Sequence, residues 1–91
     1  MLSSAPTPED EIVNEKVGLF LREARERAGI SQVRFAELVG VKQATVSRIE
    51  RGKQYVTIAM IVSYMRILKL RITLISEPAA TPPIEKYTLT L

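Results

Sequence analysis

Apolar residues recur at helical spacing in four consecutive segments of the chain and alternate with polar residues in a fifth. The first helix is predicted from the acidic run at residues 9–11 to about Ala28, because acidic side chains suit the amino end of a helix. Gly29 follows and ends it. The predicted buried stripe of this helix comprises Val13, Val17, Phe20, Leu21, Ala24 and Ala28.

Two short helices joined by a tight turn are predicted between Ser31 and Gly52. Ser31 is a favourable N-cap for the first of them, because its hydroxyl can accept a hydrogen bond from a free backbone amide. Gly40 ends that helix, since glycine adopts the left-handed conformation at low cost. The second helix runs from about Gln43 to Arg51. The apolar residues that we expect to face the core are Phe35, Ala36, Leu38, Val39, Val46 and Ile49.

The outer face of the second short helix carries amide, hydroxyl, methyl and cationic side chains and no acid. Gln can pair with adenine, Arg or Lys with guanine, and Ala or the Thr methyl can contact a thymine methyl in a major groove. A solvated helix face has a similar composition, so these residues alone leave both interpretations open. The turn, the small Ala36 and the absence of acids favour DNA. The predicted base-contacting residues are Lys42, Gln43, Ala44, Thr45, Ser47 and Arg48.

The segment from Gln32 to Gly52 resembles the helix-turn-helix signature of the phage-repressor-like (Cro/C1, XRE) family. The resemblance rests on Gln32, Phe35-Ala36, Gly40-Val41, Thr45-Val46-Ser47 and Ile49-Glu50-Arg51-Gly52. It implies that the first helix of the pair spans the DNA backbone and the second lies in the major groove. It also implies a partly buried ion pair between Arg25 and Glu50. The predicted contacts to the DNA backbone are Gln32, Arg34, Lys53 and Gln54.

A fourth helix, capped by Thr57, is predicted from Ile58 to Leu68, and it is apolar on two sides. One side completes the core, and the other needs a cover in so small a protein. A larger core, or single exposed side chains at Met60 and Tyr64, would also account for the second side. We favour a symmetric dimer contact. The predicted dimer-interface residues are Met60, Tyr64, Ile67, Ile72 and Leu74.

Residues 70–76 alternate and are rich in β-branched side chains, which is typical of a strand. A lone strand must pair, either with its copy in a second subunit or with residues 87–91, which also alternate. The apolar tail after the proline-rich spacer either adds a strand to this sheet or becomes ordered on a protein partner. The candidate partner-binding residues of the tail are Ile84, Tyr87, Leu89 and Leu91.

The sequence from Val41 to Ser76 is similar to that of the HipB-type antitoxins, the DNA-binding partners of HipA-type kinases. In that group two subunits pair their carboxy-terminal strands, and the dimer represses its own operon and holds the toxin. The resemblance implies a homodimer that binds a palindromic operator and a protein toxin, such as a HipA-like kinase. The alternatives are a regulator with no toxin and a module that mainly binds a toxin. Residues 84–91 do not align with that group.

The composition narrows the chemistry further. A chain of 91 residues permits one domain with a modest core. It contains no Cys and no His, which excludes disulfides, thiolate chemistry and imidazole catalysis. We therefore expect no enzyme activity, no cofactor and no metal. The net charge of +3 is compatible with a polyanionic partner. No segment resembles a signal peptide or a membrane span, so we expect a cytoplasmic protein with no membrane partner.

These patterns predict a mainly α fold: a four- to five-helix repressor-like helix-turn-helix domain with a carboxy-terminal β-strand paired across a dimer. The predicted segments are a flexible amino-terminal arm at residues 1–8, a helix-turn-helix DNA-binding domain at residues 9–69, a dimerisation strand at residues 70–76, and a proline-rich spacer with an apolar tail at residues 77–91.

Overall fold

The computed structural model of the chain describes residues 7–77 and 87–91. In these residues the elements are α1 (Pro8–Arg27), α2 (Gln32–Val39), α3 (Gln43–Glu50), α4 (Ile58–Leu68), β1 (Thr73–Ser76) and β2 (Tyr87–Thr90). The predicted mainly α fold with a carboxy-terminal strand is confirmed. Residues 1–6 of the predicted arm, residues 78–83 of the predicted spacer and Ile84 lie outside the described residues.

The first helix begins at a capping box, slightly earlier than the sequence suggested. The Asp10 amide donates to the Thr7 hydroxyl at 3.1 Å, and the Thr7 amide donates to Asp10 Oδ2 at 3.2 Å. The Tyr55 hydroxyl donates to the same carboxylate oxygen at 3.0 Å, which ties the loop after α3 to the start of α1. The hydrogen bond from the Thr7 amide and then that from Tyr55 lower the pKa of Asp10.

The buried face of α1 differs from the predicted stripe. Val13 and Phe20 are more than half exposed, and Ala28 is exposed as well. The helix turns Gly18 towards α3, where a Cβ atom would collide with the backbone carbonyl oxygen of Ile49. The two backbones can approach this closely only because no side chain separates them. The buried residues of α1 are Asn14, Gly18, Leu21, Ala24 and Arg25.

The core is formed where α1, α2 and α3 meet α4, and its aromatic centre is a pair of rings. The centroids of Phe35 and Tyr64 are 4.1 Å apart, with 42° between the ring planes. The Tyr64 hydroxyl donates to Glu50 Oε2 at 3.4 Å. The buried hydrophobic cluster comprises Leu21, Phe35, Ala36, Val46, Ile49, Tyr64 and Met65.

The prediction that Tyr64 lies at a dimer interface is therefore wrong. Its side chain is fully buried within the subunit, because a tyrosine can enter a core where its hydroxyl has a hydrogen-bonding partner. Met60, Ile67 and Ile72 are partly buried and pack against the same core, whereas Leu74 is 40% exposed. The buried residues of α4 are Tyr64 and Met65, which lie between the two apolar sides seen in the sequence, and Ile58 is more than half exposed.

The two strands form an antiparallel sheet within the chain. This is one of the two pairings that the sequence left open. Leu74 lies opposite Leu89, Ser76 lies opposite Tyr87, and the Leu91 amide donates to the Ile72 carbonyl at 2.8 Å. The strand begins later than predicted, because α4 ends in the left-handed Lys69 and residues 70–72 connect it to β1.

Candidate nucleic-acid interface

The helices α2 and α3 are joined by the tight turn that the sequence predicts. The Ser31 hydroxyl accepts a hydrogen bond from the Arg34 amide at 3.1 Å and caps α2. Gly40 ends α2 with a φ of 84°. The amides of Gly40 and Val41 both donate to the Ala36 carbonyl, at 2.8 and 3.0 Å. Ala36 is itself buried, so the turn fixes α3 against α2 with little freedom.

The exposed face of α3 carries no acid. The only acidic residue of α3 is Glu50, whose side chain is 1% exposed and points into the core. Lys42, Gln43, Ala44 and Arg48 are exposed, while Thr45 and Ser47 are half-buried. This surface combines cations, amides, hydroxyls and methyl groups. Such a combination suits an anionic ligand that also forms hydrogen bonds, such as duplex DNA.

At the carboxyl end of this face, hydrogen bonds join the side chains of Thr45, Arg48 and Gln54, which are three of the predicted DNA contacts. Arg48 Nε donates to Gln54 Oε1 at 2.9 Å, and Arg48 Nη2 donates to the Thr45 hydroxyl at 3.4 Å. The Lys53 amide donates to the Arg48 carbonyl at 2.9 Å, so Lys53 continues the same surface with an exposed side chain. The loop and the helix therefore present one cationic cluster, made of residues 48, 53 and 54.

Gln32 occupies a different environment from the exposed phosphate contact that was expected. It is half-buried, and its Nε2 atom donates to Glu50 Oε1 at 3.0 Å. Its Oε1 atom accepts from Gln43 Nε2 at 2.7 Å. Gln32 thus links the core to the first residue of α3. The fourth predicted backbone contact, Arg34, is exposed and forms an ion pair with Glu37 at 3.2 Å on the outer side of α2.

The expected ion pair between Arg25 and Glu50 is present and is more deeply buried than predicted. Arg25 Nε donates to Glu50 Oε2 at 2.7 Å and Arg25 Nη2 donates to Glu50 Oε1 at 2.9 Å. Arg25 Nη1 donates to the Ile30 carbonyl at 2.6 Å, which closes the turn between α1 and α2. The hydrogen bonds to Glu50 raise the pKa of Arg25. The pair fixes α3 to α1 from behind.

Sequence reasoning missed the two neutral partners of this ion pair, Tyr64 and Gln32. The signal for Tyr64 was its position on an apolar helix, since a buried tyrosine usually finds a hydrogen-bond partner for its hydroxyl. For Gln32 the sequence contains no signal, because a glutamine at this position can face either the core or the solvent. Arg51 was also missed; it is an exposed cation at the end of α3, and its Nε donates to the Ser47 carbonyl at 3.4 Å.

Residues 16–77 match the family model of a helix-turn-helix domain. Since this is more than half of the chain, the chain belongs to the helix-turn-helix family, and the resemblance to its XRE-like members is confirmed. Solved structures agree. The restriction-modification controller protein C.AhdI from Aeromonas hydrophila is 31% identical with a TM-score of 0.64, over 68% of this chain and 90% of that chain.

Two further structures are similar to the chain. The clp gene regulator ClgR from Corynebacterium glutamicum is 28% identical with a TM-score of 0.61, over 64% of this chain and 62% of that chain. An HTH_3 family transcriptional regulator from Vibrio cholerae is 30% identical with a TM-score of 0.61, over 67% of this chain and 34% of that chain. A search of curated proteins found no match. The likeness to HipB-type antitoxins stays a prediction.

The family and these regulators support a DNA-binding regulator of transcription. Within the described residues, no helix is both long enough and apolar enough to cross a membrane.

Proposed function

We propose that this helix-turn-helix protein is a homodimeric regulator of transcription that binds a specific, roughly palindromic duplex DNA sequence. The observation that carries the proposal is the exposed face of α3, from which the single acid, Glu50, is turned into the core. A solvated helix face has no reason to exclude acids from its surface. A face that lies in a major groove does, because it is surrounded by phosphates.

The side chains divide into two proposed roles. Lys42, Lys53 and the amino ends of α2 and α3 contact phosphates and set the orientation of the domain on the duplex. The residues from Gln43 to Arg48 supply the contacts to base edges. Two copies would place their α3 helices in successive major grooves roughly 34 Å apart, which corresponds to a two-fold symmetric site.

The first experiment selects binding sites from a library of random duplexes and then measures affinity by fluorescence anisotropy. We expect an enriched palindromic sequence and an affinity that falls steeply with salt, because phosphate contacts release counterions. The variant Gln43→Ala should lose about 1–3 kcal/mol of binding free energy on the selected sequence. On random DNA it should lose little, because non-specific binding depends on phosphates and not on base edges.

A matched control separates this interface from general positive charge. Arg27→Gln removes a cation from α1, where Arg27 is paired with Glu23 at 3.9 Å. Lys53→Gln removes one from the proposed phosphate-contacting surface. We expect Lys53→Gln to weaken DNA binding and to lower the number of counterions released on binding by about one. Arg27→Gln should change neither the affinity nor its salt dependence. Equal effects of the two variants would contradict the placement of the interface at α3.

The dimer proposal is supported by the distribution of apolar side chains on the β1–β2 hairpin. The strand register puts Leu74 and Leu89 opposite each other, so they share one face. The other face carries three threonines and Ile75. Within the part of the chain that the structure describes, Ile72 of the first face packs against the core, and Leu74, Leu89 and Leu91 are 40–53% exposed. The residues of this apolar face, as defined here, are Ile72, Leu74, Tyr87, Leu89 and Leu91.

An exposed apolar face of this kind is stabilised when a second copy covers it. Sedimentation equilibrium tests the proposal with a neighbouring pair of variants. Leu74→Ser changes the apolar face, whereas Ile75→Ser changes the opposite face at a more exposed position. We expect Leu74→Ser to raise the dimer dissociation constant at least about tenfold and Ile75→Ser to leave it unchanged. A monomeric wild-type protein, or equal effects of the two variants, would overturn the dimer.

A finer proposal is that the protein is the antitoxin of a HipA/HipB-like operon. It is supported by the resemblance of residues 41–76 to that group. The test is the product of the neighbouring gene. If that product is a HipA-like kinase, it should form a complex with this protein in gel filtration. A neighbour of another kind, or no complex, would end this finer proposal.

A further inference from the structure

The loop that follows α3 is attached to α1 at two points, one on each side of residues 53–54. On one side, Gly52 packs so closely against the backbone of Glu15 that a Cβ atom on the glycine would collide with it. On the other side, the Tyr55 hydroxyl donates to Asp10 Oδ2 at 3.0 Å. The two residues between these attachment points are the ones that supply the predicted contacts of this loop to the DNA backbone.

The Asp10 carboxylate is itself held in place, so it can act as a fixed anchor for the loop. It belongs to the capping box of α1, in which the Thr7 amide donates to the same Oδ2 atom at 3.2 Å and the Asp10 amide donates to the Thr7 hydroxyl at 3.1 Å. Partial burial and then the hydrogen bond to Asp10 raise the pKa of the Tyr55 hydroxyl, so it stays protonated at neutral pH and acts as the donor. Tyr55 is thereby fixed to the first turn of a helix of 20 residues.

The anchor lies outside the part of the chain that matches the helix-turn-helix family. That match begins at residue 16, whereas α1 begins at Pro8, so roughly two turns of α1 precede the matched residues. We call residues 8–15 the α1 extension. Asp10 and the Glu15 backbone that contacts Gly52 both belong to it. The match to the family therefore accounts for neither attachment of the loop.

The position of the loop matters for the availability of the Lys53 cation. Glu11, Asn14 and Glu15 line a small cleft together with Gly52 and Lys53. The Lys53 side chain is exposed, so its ammonium group is free to reach a phosphate. A loop that moved towards α1 would bring this ammonium group to the carboxylates of Glu11 and Glu15, and the attraction between opposite charges would compete with DNA. A fixed loop keeps the cation available.

We propose that Tyr55 is a positioning residue, and that its hydrogen bond to Asp10 holds residues 53–54 in the orientation that contacts DNA phosphates. The α1 extension thereby contributes to DNA affinity without touching DNA. The proposal rests on the proposed function, because it assigns a role in DNA binding to residues outside the exposed face of α3. It differs from a direct contact, in which the Tyr55 hydroxyl would itself bind a phosphate.

The variant Tyr55→Phe tests the proposal, because it keeps the ring and removes only the hydroxyl. The readout is the affinity for a random duplex, measured by fluorescence anisotropy at several salt concentrations. We expect the affinity to fall about two- to tenfold, the range that corresponds to one net hydrogen bond. The number of counterions released should fall by up to about one, because Lys53 is no longer held at the phosphates. As a control, Ser63→Ala removes a hydrogen bond to the Ala59 carbonyl within α4 and should change neither quantity.

Substitutions of Asp10 separate positioning from a direct contact and from a general loss of stability. Asp10→Ala removes the anchor and should weaken DNA binding as much as Tyr55→Phe, and the double variant should bind no more weakly than either single variant. Asp10→Asn keeps an oxygen that can accept from Tyr55, so it should retain the wild-type affinity within about twofold. It does so although it loses the charge that favours the amino end of α1.

Two further measurements complete the test. In a Lys53→Gln background, Tyr55→Phe should have no further effect on the salt dependence, because Tyr55 acts through the loop cation. Thermal unfolding of each variant shows whether the fold is retained at the temperature of the assay. A variant that begins to unfold there is measured again at a lower temperature, beside the wild-type protein.

The outcomes separate the inference from the proposed function. If Tyr55→Phe binds a random duplex as tightly as the wild-type protein, the inference is overturned while the proposed function stands. Losses from Tyr55→Phe and Asp10→Ala that add in the double variant would indicate a direct phosphate contact, and an equal loss in Asp10→Asn would indicate an effect of charge; either result overturns the inference. If the wild-type protein binds no duplex, both fail. A shared, non-additive loss that Asp10→Asn does not reproduce supports the inference.

Discussion

The buried ion pair provides the strongest prediction about stability. Replacing Arg25 by methionine removes three hydrogen bonds, two to Glu50 at 2.7 and 2.9 Å and one to the Ile30 carbonyl at 2.6 Å. The Arg25 and Glu50 side chains are 8% and 1% exposed, so water cannot take the place of the guanidinium. The Glu50 carboxylate would stay buried with two neutral donors and no counterion.

The expected cost is about 3–5 kcal/mol, the usual penalty for leaving one member of a buried pair without its partner. A domain of this size has a total stability of about 5–15 kcal/mol, so the variant should be marginally folded. In urea, where the stability of small proteins falls by roughly 1 kcal/mol per molar, the midpoint of unfolding should fall by roughly 3–5 M. Circular dichroism of the helices measures this midpoint.

Two comparison variants make the result interpretable. Arg22→Met removes an exposed cation of the same helix, paired with Glu26 at 3.5 Å, and should cost no more than about 0.5 kcal/mol. The double variant Arg25→Met/Glu50→Gln removes both charges and keeps an oxygen that can accept from Gln32. It should recover about 2 kcal/mol or more of the loss. A cost below about 1 kcal/mol for Arg25→Met, or no recovery in the double variant, would refute this reasoning.

Three further predictions follow from the backbone and the first cap. Gly18→Ala should cost about 1–3 kcal/mol in urea unfolding despite the better helix propensity of alanine, because its Cβ would collide with the Ile49 carbonyl oxygen. An unchanged midpoint would contradict the close helix crossing. Gly40→Ala, at a φ of 84° with open space around it, should cost only about 1–2 kcal/mol, from backbone strain alone, and a larger loss would show a missed contact. Asp10→Asn should lower the midpoint at neutral pH. The pKa of Asp10 is lowered in the folded state, so its stabilisation is present above the unfolded pKa and is lost as the pH falls through the folded pKa. A difference between wild type and variant that does not shrink as the pH is lowered would be inconsistent with this reasoning.

The helices of the fold could be predicted from sequence because their ends carry local signals. Ser31, Gly40 and Thr57 occupy the caps where their chemistry predicts them, and the fourth helix has the predicted bounds. The ion pair between Arg25 and Glu50 was predicted by resemblance to the family rather than by any pattern in the residues. A single sequence contains no local signal that two charges 25 positions apart will meet.

The orientation of each helix about its own axis was harder to predict. In α1, residues 19–21 are all large and apolar, so hydrophobicity alone does not decide which of them is buried. The structure buries Leu21 and exposes Phe20, because the contact with α3 is set by Gly18 and Arg25. A glycine and a charged residue lower the apparent hydrophobicity of the face that they occupy. The prediction therefore was right for Val17, Leu21 and Ala24 and wrong for Val13, Phe20 and Ala28, which are exposed. A similar ambiguity in α4 led to the wrong placement of Tyr64.

The same argument explains why the residues of the candidate DNA-binding face could be predicted, whereas the hydrogen bonds that orient their side chains could not. Exposure and chemistry are properties of single positions, and they identify residues 42–48 without knowledge of the core. The orientation of the Gln43 amide depends on Gln32, on Glu50 and, behind them, on Arg25 from another helix and Tyr64 from a third. Substitutions in the core can therefore change the orientation of the Gln43 amide without touching any residue on the exposed face of α3. Tyr64→Phe is the mildest such substitution, because it removes one weak donor to Glu50 and leaves the packed ring with Phe35 in place.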